Sequence, residues 1–173
     1  MQKEIRLYNV AFPIWFLFLY PGLWIVVLPL NFLIDSLVVL GIAKFAKLPV
    51  LKAQFWKVIW KVWGVGFFAD LLGAVLLFIV SFGASHESNV VSALVGNPFL
   101  HWGALLLTML ATLLSGVMIY LLNFRWSLKQ LNCSKQEKKK IARYLAYWTA
   151  PYMFIFSPWS ILGFLIMIKS LFL

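Results

Sequence analysis

From Val10 to Ala43 the chain is apolar almost without interruption. A membrane helix needs about 20 such residues, so this run is too long for one span and short for two. Pro21-Gly22 is the strongest breaker inside it, because proline disfavours helix in the residue before it and glycine permits a turn. The pattern therefore predicts a short helix over 7–20 and a full span over 23–44, with a kink at Pro29. The next apolar run opens on Pro49, which suits a helix start, and Lys52, Lys57 and Lys61 alternate there with Trp56, Trp60 and Trp63. Tryptophans at i, i+4 and i+7 share one helical stripe, and amphipathic rings mixed with lysines mark a membrane interface. The segment from Leu51 to Trp63 is thus expected to be interfacial and to run into a span over 63–82, with a further span over 99–122. The last segment, 144–172, repeats the N-terminal theme, with Pro151 and Pro158 dividing two pieces each too short to cross comfortably. It reads equally as a broken span, a re-entrant hairpin or one kinked helix.

These elements define an all-α fold, a polytopic transmembrane helix bundle of four to six membrane segments with proline-broken or re-entrant segments at both ends. Pro13 and Pro21 set against Pro151 and Pro158 hint at an internal repeat of the transporter kind. The whole of 1–173 is read as one membrane domain, because the longest polar segment is the basic run 125–143.

Composition sharpens this reading. The chain is 64% hydrophobic and 12% charged, with a mean hydropathy of +0.94, against about half apolar and a quarter charged in ordinary soluble domains. A net charge of +10 would suggest nucleic acid in a soluble protein. Here twelve of the fifteen basic residues lie from Lys44 to Lys61 or from Arg125 to Arg143, beside apolar spans, as the positive-inside rule expects. Charge is topology: no nucleic-acid partner is expected, the loops around Lys47 and Lys138 are placed in the cytoplasm, and Ser88 in the opposite loop, with Glu87 and no Lys or Arg, faces outward. Termini that each go in and return would put Lys3, Arg6 and Lys169 on the cytoplasmic side too. The first apolar run is too long for a signal-peptide core and no small-x-small exit site follows it. One cysteine, Cys133, forms no internal disulfide and reads as an incidental cytosolic thiol, and the sequon Asn132-Cys133-Ser134 as unused.

The candidate chemistry is carried by carboxylates. Asp35 lies nine residues before Lys44 and Asp70 nine after Lys61, which puts both about 13 Å from the basic boundary. They sit on consecutive antiparallel spans, and such spans are usually neighbours. Asn31 shares a face with Asp35, while Gly66, Ala69 and Gly73 surround Asp70 with small residues that permit close helix approach. Each buried carboxylate costs at least about 2.5 kcal/mol on insertion scales, so a shared proton, a bound cation, water or a snorkelling Arg6 or Lys169 must neutralise the pair. Asn31, Asp35 and Asp70 form the candidate intramembrane polar site, with Asn31 as a hydrogen-bond partner of Asp35. The alternative is that the aspartates are protonated or hydrogen-bonded packing residues. Thr108, Thr112 and Ser115, with Asn123 further along, form a mildly polar stripe that would line a cavity if it faced the aspartates. Threonines bonding their own backbone account for most such stripes.

Catalytic signatures are missing. With His86 and His101 as the two histidines there is no HExxH, no metal cluster is expected, and no GxSxG or phosphate-binding glycine loop is present. His101, beside Trp102, reads as an interfacial anchor. Intramembrane aspartyl proteases also use paired aspartates, but Asp35 follows Ile34 and Asp70 follows Ala69, so neither the tyrosine-aspartate nor the GxGD signature is met. No catalytic residue, metal or cofactor is assigned. The neighbourhoods of Asn9, Pro13, Trp15, Pro29, Asn31, Asp35 and Asp70, roughly the first half of the chain, resemble a group of small polytopic proteins of Gram-positive bacteria. That resemblance implies a bacterial plasma membrane and no particular activity. The leading expectation is a small transporter, channel or transport-complex subunit, with the bilayer, other membrane subunits or further copies of itself as partners. The second is an adaptor or immunity-like protein working through helix contacts, and the third a membrane-embedded enzyme.

Overall fold

The computed structural model describes residues 14–83 and 89–155. Residues 7–13 of the first predicted helix, 156–172 of the last segment, and Ser88 lie outside them. All regular structure among the described residues is helical. Two 3₁₀ turns, Ile14–Phe18 and Pro21–Leu23, lead into α1, Trp24–Phe45. Then come α2, Pro49–Ala53, α3, Phe55–Gly83, α4, Asn89–Val95, α5, Trp102–Arg125, and α6, Lys135–Thr149. Three stretches are long and apolar enough to cross a membrane: Pro21–Phe45, Phe55–Gly83 and Trp102–Gln130.

Several expected boundaries move. Within 7–20 the described residues form a 3₁₀ turn and no α-helix, since Pro21 closes the stretch before a second helical turn can build. Pro29 lies inside α1 without ending it. The span expected over 63–82 begins eight residues earlier, because no proline separates Phe55 from Gly83 and α3 runs unbroken for 29 residues, about 43 Å. Its tryptophan and lysine turns are therefore collinear with the span, and the separate piece is α2, opened by Pro49. The span expected from Phe99 starts at Trp102, since Pro98–Leu100 makes its own 3₁₀ turn and His101, in extended conformation, caps α5 by accepting the Gly103 N–H on Nδ1 at 3.0 Å. The loop between α3 and α5 is partly helical, with Val91, Ala93 and Leu94 of α4 buried.

The basic run 125–143 is the largest correction. Arg125 belongs to α5, Ser127–Gln130 is a 3₁₀ turn, and residues from Lys135 onward are helix α6, which takes in 144–149 of the expected terminal segment. Ser134 and Glu137 nucleate α6 as a capping box: Ser134 Oγ accepts from Glu137 N–H at 3.2 Å and Glu137 Oε2 from Ser134 N–H at 2.8 Å. The helix stops at Thr149, where Ala150 turns extended ahead of Pro151.

Helix α3 is central, packed against α1 on one side and α5 on the other, and α6 lies across α5 and α1. The core has two parts. One joins the Lys44 end of α1, the first turns of α3, the Arg125 end of α5 and α6, through Val39, Val58, Ile59, Ile119, Ile141 and Leu145. The other joins the far ends, through Trp15, Phe18, Ala74, Leu77, Leu94 and Phe154. All twelve described basic residues thus belong to the first end. On the outside, Ile25 is 81% exposed, and Leu37, Ile79, Leu106 and Leu113 also stand clear of the bundle. A surface this apolar is a lipid-facing one.

Candidate functional site

Between the two cores lies a polar layer. Asp35 is one turn before Val39 of the basic-end core, Asp70 falls between Ala69 of that core and Ala74 of the other, and Ser115 between Ala111 and Ile119. Asp35 is 4% exposed and Asp70 6%, so neither carboxyl reaches solvent or lipid. Helix α1 presents Asp35 across the seam to α3, where Gly66 makes room for it: a Cβ at 66 would sit 3.2 Å from Asp35 Oδ2. Gly66 is one turn before Asp70 on the same face, so the two carboxyl groups belong to one seam between α1 and α3. Because the two helices run antiparallel, one turn back along α1 comes level with one turn on along α3, and Asn31 stands at the depth of Asp70.

The hydrogen bonding is incomplete. Asp70 Oδ1 and Asn31 Nδ2 are both buried and have no partner among the described residues, and Ser36 Oγ is in the same position. The amide donation expected from Asn31 to Asp35 is therefore not made; the carboxylate reaches over Gly66 while Asn31 stays on its own helix. Buried polar groups are normally paired, so the two orphans at one level, Asp70 Oδ1 and Asn31 Nδ2, call for an explanation. No basic residue lies on α1 before Lys44 or on α3 after Lys61 among the described residues, and nothing at that depth on these helices balances a negative charge.

The α5 stripe divides. Thr108 donates to the carbonyls of Ala104 and Leu105, at 3.1 and 2.9 Å, and bonds to its own helix, while Thr112 donates to the Thr108 carbonyl at 2.8 Å with a longer contact to the Pro151 carbonyl at 3.5 Å. Ser115 reaches across to the Ala69 carbonyl of α3 at 2.9 Å, immediately before Asp70. Gly73 allows this approach, since a Cβ there would meet Ser115 Oγ, the Phe154 ring and the Ala111 carbonyl. Ser115 therefore joins the polar layer, whereas Thr112 lines a different space, a groove between α5 and α6. Trp63 also has a role beyond the interface: its Nε1 donates to the Leu28 carbonyl at 2.9 Å and its ring packs on Phe32, tying α3 to α1.

Cys133 is half-buried, and burial above all pushes its thiol up despite the nearby Lys138, which fits an unreactive thiol. Two features escaped the sequence reading. The capping box was written as Ser134-Lys135-Gln136-Glu137 ahead of an apolar run, but the surrounding lysines masked it. The division of labour within the α5 stripe had no signal, since it depends on which residue faces Gly73. No family model matches this chain, and no curated protein and no solved structure is similar to it.

Proposed function

We propose that the protein is a small multi-pass membrane transporter, channel or transport-complex subunit in which Asn31, Asp35 and Asp70 bind a proton or a small cation within the bilayer. The observation that carries this reading is two carboxyl groups on facing helices, Asp35 against Gly66 and Asp70 one turn further along the same face, each more than nine-tenths buried, one with an oxygen unpartnered among the described residues. Two carboxylates so close in a low dielectric do not both stay ionised without a positive partner, so the site takes up a proton or a cation. A protein using its interior only for packing gains more from apolar residues there than from a charged pair. In this reading the basic end is cytoplasmic, the membrane is the plasma membrane, and the segments outside the three long helices bring the total to four to six. The adaptor reading is weakened because Gly66 and Gly73, the small-residue contacts it would offer a partner, are used inside the bundle.

The test is flux in sealed vesicles holding the purified full-length chain, driven by a proton, sodium or potassium gradient. Asp35→Asn and Asp70→Asn keep side-chain shape and remove charge. Wild type is expected to dissipate at least one of the three gradients, and each variant to fold, insert and lose that flux by tenfold or more. Wild-type vesicles as tight as empty ones to all three ions, or variants as active as wild type, would overturn the proposal.

A further inference from the structure

The groove between α5 and α6 is independent of the carboxylate layer. It encloses about 750 Å³ and is lined on α5 by residues from Leu106 to Tyr120 and on the other wall by Arg143, Ala146, Tyr147, Ala150, Tyr152 and Ile155. The walls meet at Gly116, where a Cβ would lie 3.7 Å from Ala150 Cβ and 3.9 Å from the Ala146 carbonyl oxygen. The α5 wall runs from Leu106 to Tyr120, about 21 Å, more than one leaflet of a hydrocarbon core about 30 Å thick.

Its polarity is one-sided. The α5 wall is mostly aliphatic, with Leu106, Met109, Leu110, Leu113 and Val117 beside Thr112, whose hydroxyl is bonded to the Thr108 carbonyl. The single cation of the lining, Arg143, stands at the Tyr120 end, the end of α5 that leads to Arg125. Arg143 is exposed, and among the described residues the one carboxylate near it in sequence, Glu137, is bound to Ser134. One turn back along α6, Lys139 extends the same face toward the basic end, while Lys140 lies over the Tyr144 ring. Guanidinium matches a phosphate diester in two-point geometry, and the long side chain lifts its charge to the headgroup level while its stem stays with the apolar wall.

A second groove provides the contrast. Of about 480 Å³, it lies between α1 and the other side of α6 and is lined by Leu37, Val38, Gly41, Ile42, Phe45, Ala46, Tyr144 and Trp148, with no cation among these residues. Two apolar seams flank one helix: the first has Arg143 in its own lining, whereas the cations beside the second, Lys44 and Lys140, lie over the Phe45 and Tyr144 rings of its wall and not in the lining.

We propose that the α5–α6 groove binds an anionic phospholipid, with its phosphate on Arg143 and an acyl chain lying along Leu113 and Leu106. Charge complementarity selects this occupant: a zwitterionic lipid fills the same apolar wall but gains less from a cluster of cations, and basic pockets between membrane helices are recognised sites for acidic headgroups.

The experiment uses the full-length chain in detergent, incubated with phosphatidylglycerol and phosphatidylcholine of identical acyl chains, the lipids retained being counted by native mass spectrometry. Wild type is expected to keep phosphatidylglycerol about fivefold over phosphatidylcholine, the ratio that attraction of one basic residue to an anionic surface gives. Arg143→Gln should bring that ratio close to one and Arg143→Lys keep most of it, while Gly41→Leu, which fills the second groove, leaves it unchanged. Leu113→Trp, which narrows the first groove, should lower retention of the anionic lipid. Equal retention of the two lipids by wild type, or a ratio indifferent to Arg143→Gln, overturns the proposal. Disulfide cross-linking of two copies through Leu113→Cys in a Cys133→Ser background would assign the groove to a second chain and overturn it as well.

Discussion

Three carboxylates are described, and they stand in two opposite settings. Glu137, at the start of α6, is partly exposed and engaged by its own chain: its Oε2 accepts the Ser134 N–H, and its own N–H is held by Ser134 Oγ. Asp35 and Asp70 are buried at mid-bundle, near each other, and Asp70 keeps an oxygen with no partner. The acid at the helix start is held by its own chain within three residues, whereas Asp70 keeps an oxygen that no side chain among the described residues completes. A carboxylate that terminates a helix is local structure; one that separates two hydrophobic cores without a partner is a reason to look for a ligand.

The comparison depends first on how closely the helices approach around Asp70, and Gly73 tests that most severely. A side chain there would strike Ser115, Phe154 and the Ala111 carbonyl, and backbone cannot step aside as a flexible side chain can. Gly73→Leu is expected to cost about 3 kcal/mol, at the upper end for overpacking a closed interface, measured by unfolding the reconstituted protein. Gly64, on the same helix, has nothing within 4 Å of the place a methyl group would take, so Gly64→Ala should gain a few tenths to about 1 kcal/mol from helix propensity alone. Similar losses at both positions would mean that the layer is not held by close approach.

How far the sequence foretold these settings differs between them. That Asp35 and Asp70 lie on facing helices was legible, because distance from the flanking lysines is a simple sum along a helix, but the equal depth that sum gave is off by a turn, since Asp35 stands against Gly66. Gly66 marked the seam that receives Asp35 and Gly73 the one that receives Ser115. Which partner each carboxylate finds was not legible: Asn31 at i−4 was the obvious donor, yet its amide nitrogen is unpaired, because the choice is made by side-chain direction across a helix seam. The three long helices followed from hydropathy, whereas α6 did not, since lysines 135, 138, 139 and 140 read as a solvated loop unless the cap before them is noticed. Helix ends shifted by a few residues wherever a proline opened a 3₁₀ turn in place of an α-helix, as at Pro21 and Pro98.

Ser115 sharpens the contrast at smaller scale. Its hydroxyl is the one polar contact the α5 stripe makes to α3 among the described residues, while Thr108 bonds only to its own helix. Ser115→Ala is expected to cost about 1 kcal/mol, within the range measured for interhelical hydrogen bonds in membranes. Thr108→Val removes a bond that does not cross between helices and should stay within about 0.5 kcal/mol. Equal costs would show that the two hydroxyls are equivalent and that Ser115 has no special place beside Asp70.

The smallest effect belongs to the engaged carboxylate, where pH is the probe. The hydrogen bonds from the Ser134 backbone and side chain hold Glu137 below its ordinary value, since both favour the charged form. A carboxylate with a lowered folded value adds stability that is fully present above its unfolded value and is lost as pH falls through the folded one. The first turn of α6 should therefore keep its amide-exchange protection from neutral pH down to the ordinary glutamate range and fray progressively below it, after correction for intrinsic exchange rates. Glu137→Gln can still accept the Ser134 N–H, because glutamine serves in a capping box, but it has no charge to lose. Its protection should be slightly lower at neutral pH, for want of a negative charge at the helix start, and flat through the acid range. A wild-type profile as flat as that of Glu137→Gln would remove Glu137 as the engaged member of the comparison, because its charge would then contribute nothing to the fold.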